Sequence, residues 1–223
     1  MNTATSQTRN PSYGDYILRT GLETVNEYEL LFGSVLYQKY FRNRQRIIDI
    51  GPGRCWFSKQ NPQAIVAVDN SPELVEHYSK QGIDIRLGDA YDLRLSEDYA
   101  DGVFCCWLFE HLTDPLRAMK EIYRVLAPAG YGLIIVPSSH NIKSFYDDYT
   151  HVRPYTAVSL KQLAEDGGFR NHRESPLFFT WASMRIMQCF GKSIALRYMR
   201  LCDTLQRIGL VNRNHLMLEV WKE

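Results

Sequence analysis

The sequence lacks the features that mark secreted, membrane-spanning and nucleic-acid-binding proteins. Its five cysteines are an odd number without C-x-x-C spacing, which argues against a disulfide framework and a structural zinc site. Its longest apolar run, residues 103–109, is too short to cross a bilayer, and the polar N-terminus has no apolar segment typical of a secretory signal. The 26 Lys and Arg residues almost balance the 25 Asp and Glu residues, so no bulk field attracts nucleic acid. We therefore expect a cytoplasmic protein.

The sequence does contain enough apolar material for one folded domain. Its 223 residues are 45% hydrophobic, which excludes disorder of the whole chain. Short apolar runs alternate with segments of helical periodicity, a pattern typical of a mostly parallel sheet covered on both faces. The predicted strands are residues 46–50, 64–69, 83–89, 101–108, 130–136 and 215–221, and the predicted helices include 22–40, 159–168 and segments that begin near 71 and 114.

Three successive predicted strands each end at or beside an acid. These acids are Asp49, Asp69 and Asp89, spaced 20 residues apart. Because the carboxyl ends of parallel strands meet at one edge of a sheet, we expect the three carboxylates to line the ligand-binding edge. Such a row suits a ligand that carries a cation, a ribose diol and a base amine.

The loop after the first strand contains Gly51 and Gly53, which allow a tight turn and a close approach of a ligand to the backbone. A dinucleotide-binding loop reads G-x-G-x-x-G, but Trp56 occupies the position of its last glycine. Asp49 would also repel a pyrophosphate group and attract a cationic ligand. The loop therefore argues against a nicotinamide cofactor.

These segments resemble one known family, the class I S-adenosylmethionine-dependent methyltransferases. The resemblance covers residues 47–169. Asp49, Gly51 and Gly53 match the family motif acid-x-Gly-x-Gly-x-Gly, and Cys55 stands where the motif has its last glycine. The resemblance implies S-adenosylmethionine as cofactor and S-adenosylhomocysteine as product.

The resemblance also implies which groups recognise the cofactor. Asp69 would accept hydrogen bonds from the ribose hydroxyls, and Asp89 from the adenine amine. Residues 107–112 match the family segment beside the sulfonium group, and residues 121–130 match the approach to the fifth strand. The implied cofactor-binding set is Asp49, Gly51, Gly53, Asp69, Asn70, Asp89, Ala90, Trp107 and His111.

The fold that the resemblance implies is a Rossmann-like α/β fold. Its sheet is doubly wound, seven-stranded and mostly parallel, with an antiparallel last strand, N-terminal helices and a helical insertion before the last strand. We expect one methyltransferase domain over residues 1–223. Its parts are a flexible segment (1–12), an N-terminal helical cap (13–45), the cofactor-binding core (46–180), the helical insertion (181–211) and the closing strand (212–223).

Methyl transfer to a hydroxyl needs a base, and the candidate catalytic residues are His111, Asp148 and His151. Residues 146–156 resemble a branch of the family associated with sugars, glycolipids and polysaccharide assembly, which implies a glycan or glycolipid acceptor. The alternative interpretation is that His151 and Arg153 only hold this loop to the sheet.

A divalent ion is a further use of the same loop. Asp147, Asp148 and His151 form an Asp-Asp-x-x-His pattern with suitable ligand atoms. Carboxylates at such spacing are common without an ion, and we therefore expect no metal site.

The C-terminal segment carries two stripes at helical spacing. Apolar residues from Met187 to Ile208 step by three or four, and basic residues from Arg185 to Arg207 fall on nearly the opposite face. This pattern predicts helices packed on the domain with a solvated basic face. The alternatives are a lid, a homodimer interface, or membrane-surface contact through residues 184–208, which would place the protein at the inner membrane face.

We therefore predict an S-adenosylmethionine-dependent methyltransferase that O-methylates a small-molecule, glycan or glycolipid acceptor, without a nucleic-acid partner. A non-catalytic scaffold of the same fold is one alternative, favoured by Cys55 in place of a glycine but not by the retained Asp69 and Asp89. A methyltransferase for a quinone-like or other aromatic acceptor is another.

Overall fold

The computed structural model describes residues 13–20, 25–177, 181–207 and 215–223, and its centre is a seven-stranded sheet. The strand order is β3-β2-β1-β4-β5-β7-β6, in which only β7 is antiparallel to its neighbours. The predicted fold class is confirmed. The strands are β1 Ile47–Ile50, β2 Ile65–Asp69, β3 Ile85–Leu87, β4 Ala100–Cys106, β5 Leu126–Pro137, β6 Asn171–Leu177 and β7 His215–Trp221.

Helices cover both faces of this sheet. Side-chain caps fix the starts of two of them, because Ser71 accepts from the Leu74 N–H and Asp114 accepts from the Arg117 N–H. The predicted flexible segment at residues 1–12 lies outside the described residues. The helices are α1 Tyr13–Thr20, α2 Glu27–Leu36, α3 Pro72–Ser79, α4 Pro115–Val125, α5 Ile142–Phe145, α6 Ala157–Asp166, α7 Trp181–Phe190 and α8 Lys192–Arg207.

Strand β6 is the element that the apolar pattern did not locate. It is an edge strand with polar residues along its length, so that no run of apolar side chains marks it. Its exposed Arg173 pairs with the buried Glu219 of β7, with the closest nitrogen and oxygen 2.8 Å apart. Strand β5 also starts earlier than predicted, at Leu126, and β3 ends at Leu87, before Asp89.

One face of the sheet carries an aromatic cluster that supports the glycine loop. The rings of Phe57 and Phe104 stack with centroids 3.9 Å apart, and Phe41 meets both edge-on. Trp56 packs on Phe104 at 5.6 Å. This cluster holds the segment that follows β1 against β4. In such sheets, ligands bind beside the carboxyl ends of these two strands.

Helices α7 and α8 pack with a face rotated from the one predicted. Gly191, at φ +81°, separates the two helices. Met187, Ala195, Met199 and Cys202 are buried, whereas Phe190, Ile194 and Leu201 of the predicted apolar stripe are exposed. The apolar arc of α8 is wider than the contact with the sheet, so the small Ala195 and Cys202 pack closely and larger side chains face outward.

Helix α8 is nevertheless too polar for a membrane span. Within the described ranges, no helix is both long and apolar enough to cross a membrane.

Candidate active site

The candidate site lies where the strand order reverses. Strand β1 pairs with β2 on one side and with β4 on the other, and its last residue, Ile50, is in register with Val68 and Cys105. The carboxyl ends of these three strands therefore open onto one crevice, the usual ligand position in such sheets.

Asp49 is buried in β1 and only 2% exposed. Its Oδ2 accepts a hydrogen bond of 2.6 Å from the Ser58 hydroxyl. Burial raises the pKa of Asp49 to about 7, and the charge of Asp69 acts in the same direction against the Ser58 hydrogen bond. The carboxyl group is therefore poised to ionise near neutral pH, and a bound cation would favour ionisation.

Asp69 is the last residue of β2 and stabilises the turn that leads into α3. Its Oδ1 accepts a 2.9 Å hydrogen bond from the Ser71 N–H, and Ser71 caps the helix. Burial raises the pKa of Asp69 to about 6. The next residue, Asn70, is exposed. Since Asp69 uses one oxygen for the turn, its other oxygen can accept from a ligand.

The glycine loop has the same backbone twist at all three motif positions, including the one without a glycine. The φ angles are +64° at Gly51, +51° at Gly53 and +55° at Cys55. This region favours glycine, and its cost for another residue is about 1–2 kcal/mol. The Cys55 side chain offsets part of that cost by packing with Ile17 and Ala67 in a buried cluster. Cys55 therefore takes a backbone conformation that favours glycine.

Gly51 is also held by its neighbour across the crevice. A Cβ atom at Gly51 would lie 3.0 Å from Cδ2 of Leu108, which follows β4. Glycine thus lets the loop approach the segment after β4 closely. This contact brings the cofactor loop and the residues after β4 to the same crevice.

Asp89 lies in a tight turn after β3. Its backbone exchanges two hydrogen bonds with Asp92, and its Oδ1 accepts from the Tyr91 N–H at 2.9 Å. Asp89 and Ala90 are both half-buried. Gly88 has no room for a side chain, because a Cβ would lie 2.7 Å from Cγ1 of Val68. The turn therefore presents Asp89 at the end of the strand row, as the resemblance implies.

Trp107 follows β4 with φ +55°, a rare conformation for a bulky residue and one that clusters at functional sites. Its backbone N–H donates to the Ile135 carbonyl at 2.9 Å. Its ring stacks on Phe32 of α2 at 6.3 Å and lies 6.2 Å from the ring of Trp56. The strained backbone thus aims the ring at the wall between α2 and the glycine loop.

An ion pair joins the N-terminal helices to the glycine loop. Arg54, beside Gly53, pairs with the buried Glu29 of α2. Glu29 also closes a capping box with Asn26, so its carboxylate serves helix and loop together. The sequence alone gave no signal for this pair, because the two residues lie 25 positions apart.

A second cluster forms around two histidines. Their rings, those of His111 and His151, lie 4.7 Å apart between centroids. Nδ1 of His111 is 2.9 Å from Oγ1 of Thr150, which donates to Oδ1 of Asp148 at 2.6 Å. Nδ1 of His151 is 2.6 Å from the carbonyl oxygen of Phe145. The structure thus brings together the three predicted catalytic candidates.

Charges in this cluster are tightly interdependent. Nε2 of His151 lies 3.9 Å from Oδ2 of Asp148. Burial, together with the neighbouring His151, lowers the pKa of His111. Burial opposes ionisation of Asp148, but the hydrogen bonds from Thr150 outweigh it and lower the pKa of this carboxyl.

Glu110 is the member of this cluster that the sequence analysis did not select. Its side chain is buried at 1% exposure, and burial raises its pKa to about 8, with the charge of Asp148 adding to the shift. Its backbone carbonyl accepts from the N–H groups of Val152 and Arg153 at 2.8 and 3.3 Å. These bonds tie the loop to the end of β4, so the loop-holding role expected of the Arg153 side chain falls partly on the backbone. The position of Glu110 next to His111 was the available signal.

Comparisons with known proteins agree with this geometry. Residues 48–134 match a family model described as a methyltransferase domain. A methyltransferase-like protein of Schizosaccharomyces pombe is 36% identical over 161 residues, which are 68% of this chain and 55% of that protein. A 2-methyl-6-phytyl-1,4-hydroquinone methyltransferase of Oryza sativa is 29% identical over 44% of this chain and 30% of its own length. The chain thus spans about half or less of these curated relatives.

Solved structures share the fold over almost the whole chain. A SAM-dependent methyltransferase from Archaeoglobus fulgidus superposes with a TM-score of 0.67 at 21% identity, covering 93% of this chain and 99% of that one. The sheet order, the acids at the strand ends and the match over residues 48–134 lead to one conclusion. Residues 48–134 belong to a methyltransferase domain, and the chain has the fold of S-adenosylmethionine-dependent methyltransferases of known structure.

Proposed function

We propose that the protein transfers the methyl group of S-adenosylmethionine to a hydroxyl oxygen of a small-molecule or glycan acceptor. The observation that carries this proposal is the position of His111 and His151 in one cluster, directly after the Leu108 that closes on the cofactor loop. The same crevice thus offers groups for a cationic donor and groups for a hydroxyl acceptor.

Each cofactor-binding residue has a proposed partner. The ribose hydroxyls donate to Asp69, the adenine amine donates to Asp89, and the methionine ammonium lies near Asp49. Backbone groups of Gly51 and Gly53 approach the methionine part, and Trp107 covers the region of the sulfonium. The remaining proposed cofactor contacts are Asn70, Ala90 and His111.

The chemical step is an in-line displacement at carbon. The bond from sulfur to the methyl carbon breaks as the bond from the acceptor oxygen forms, and the oxygen loses its proton. The proposed proton acceptor is Nε2 of His151. Asp148 lies near this nitrogen, and His111 packs against the His151 ring. Alignment of donor and acceptor in a dry crevice supplies the larger part of the acceleration.

The loop of residues 146–156, which we propose to face the acceptor, favours a glycan or glycolipid as the acceptor. Tyr149 is 92% exposed and Tyr146 is 61% exposed, both within a few residues of His151. Exposed tyrosine rings offer an apolar face and a polar hydroxyl, a combination suited to sugar rings. The competing acceptor is a quinol-like aromatic, which the similarity to hydroquinone methyltransferases favours.

Helix α8 extends the proposal to a membrane surface. Its exposed Ile194 and Leu201, with exposed Phe190 at the end of α7, neighbour exposed Arg197 and Arg200, and residues 181–207 carry five basic residues against one acidic residue. An apolar strip flanked by arginines fits the interface of an anionic bilayer. We propose peripheral contact there, at the inner membrane face, which would bring the site to a lipid-linked acceptor.

Removal of the ribose acceptor tests cofactor binding. Asp69→Ala should weaken S-adenosylhomocysteine binding about 10–100-fold, because charge-assisted hydrogen bonds are lost. Isothermal calorimetry on the folded variant measures this change. Asp84→Ala, an exposed acid of a surface ion pair, is the control that should bind normally. Equal affinity in both variants would contradict the assignment.

Cofactor affinity should depend on pH through Asp49. Since burial holds its pKa at about 7, S-adenosylmethionine should bind more tightly as the pH rises through that value and the carboxylate forms. Calorimetry at about pH 5.5 and about pH 8 should show roughly a tenfold gain for the native protein. Asp49→Asn should lose the part of this gain centred near pH 7 and keep the part near pH 6 that comes from Asp69.

The raised pKa of Asp49 also predicts that the stability of the fold changes with pH in the direction opposite to cofactor affinity. The folded protein holds the Asp49 proton more tightly than the unfolded chain does, so the free energy of unfolding falls as pH rises from 3.8 to about 7. Asp49→Asn, which still accepts from Ser58, should therefore melt higher than the native protein at pH 8 although it binds cofactor less well. A lower melting temperature for this variant would contradict the burial argument.

Methyl transfer to candidate acceptors tests the reaction. Label from methyl-labelled S-adenosylmethionine should appear on a glycoside or glycolipid hydroxyl, and His151→Ala should lower kcat about 100-fold while binding S-adenosylhomocysteine normally. His140→Ala is the control, since this exposed side chain bonds Ser138 instead of the cluster. Transfer to quinols alone would favour the aromatic alternative, and cofactor binding without transfer to any acceptor would favour the scaffold.

Vesicle flotation tests the membrane contact. The double variant Ile194→Ser, Leu201→Ser should lose binding to vesicles with anionic lipid, whereas Val158→Ser, an equally exposed apolar change on α6, should not. If the double variant instead turns a dimer into a monomer without affecting flotation, the exposed face is a homodimer interface.

A further inference from the structure

We propose that Glu110, His111 and His151 form a binding site for one divalent transition-metal ion. One ligand atom of each side chain, a carboxylate oxygen or a ring nitrogen, lies within 4.8 Å of the other two. Metal–ligand bonds of about 2.0–2.2 Å require these atoms to close together by roughly 1 Å, which side-chain rotation supplies.

The buried carboxyl group of Glu110 points to a cation as its partner. The side chain is 1% exposed, and its Oε2 has no hydrogen-bond partner. In the described part of the chain no Lys or Arg pairs with it, and the nearby Asp148 only adds negative charge. A buried carboxylate is stable when it is paired or coordinates a metal, and an ion between Glu110 and the two histidines would meet that need.

The two imidazoles are oriented as metal ligands usually are. His151 donates its Nδ1 proton to the Phe145 carbonyl, so its electron pair is on Nε2. Thr150 gives its proton to Asp148 and thus accepts from Nδ1 of His111, which again leaves the electron pair on Nε2. A ligand histidine characteristically donates its other N–H to a carbonyl or to a group backed by a carboxylate.

The ligand set indicates the class of ion. Two imidazoles and one carboxylate suit Zn²⁺, Mn²⁺ or Fe²⁺ better than Mg²⁺ or Ca²⁺, which prefer oxygen ligands alone. Three protein ligands leave coordination positions open for an oxygen of the acceptor. Asp148, 3.9 Å from Nε2 of His151, is close enough to receive that oxygen's proton.

The role of the ion rests on the proposed function, whereas the site itself does not. A bound cation lowers the pKa of a coordinated hydroxyl. In the loaded protein His151 would therefore be a ligand instead of the base. We expected no metal at Asp147, Asp148 and His151; folding instead brings Glu110 and His111, about 40 residues earlier in the chain, to His151.

Metal binding by purified protein tests the site. All proteins carry Cys189→Ser to remove an exposed thiol, are treated with chelator, and are titrated with Zn²⁺ and Mn²⁺ by calorimetry and with Co²⁺ by visible absorption. The otherwise native chain should bind one ion and melt at a higher temperature with it. Glu110→Gln and His151→Ala should each weaken binding at least about tenfold.

His140→Ala is the matched control, because this histidine is exposed and bonds Ser138. It should bind the ion normally. Normal binding of S-adenosylhomocysteine by every variant establishes that each is folded. No saturable binding by the parent chain, or equal binding by Glu110→Gln and His151→Ala, would overturn the site. Methyl transfer that survives chelation would overturn the ion's catalytic role alone, and metal binding without any transfer would refute the proposed function but support the site.

Discussion

Asp49 is a carboxylate inside a strand that is covered on both faces, where ionisation costs folding free energy unless a cation compensates it. In the described part of the chain, Ser58 supplies its hydrogen bonds, from the hydroxyl and from the backbone. The proposed cofactor site follows from this constraint, because a positively charged ligand between the glycine loop and Asp69 would compensate the charge of Asp49. The fold thus holds a destabilising group that becomes favourable when the ligand arrives.

The same arrangement recurs on the acceptor side of the crevice. Glu110, in the helical turn that follows β4, is a second buried carboxyl, and its surroundings again lack a Lys or Arg side chain among the described residues. The two sites differ in what surrounds the carboxyl group. Asp49 has Ser58 and Asp69 as neighbours, whereas Glu110 lies beside two imidazoles. One strand end therefore suits an organic cation and the other suits a metal ion.

Much of this architecture could be predicted from the sequence, because buried parallel strands are nearly continuous apolar runs that stop at glycines and acids. Strand β6 could not, since an edge strand keeps polar residues, and the packed face of α8 could not, since its apolar arc exceeds the contact with the sheet. The acids of β1 and β2 could be predicted, because each stands beside an apolar run in the sequence. The pairing of Glu110 with His151 depends on a tertiary approach that no spacing encodes.

Cys55 gives the cofactor loop a chemical property that a glycine would not. A thiol next to a sulfonium methyl donor is a potential nucleophile, and only its thiolate form reacts readily. Burial, reinforced by the charges of Asp49 and Asp69, raises the pKa of the Cys55 thiol far above its ordinary range. The thiol therefore stays protonated and inert, and it would not accept the methyl group of the proposed cofactor.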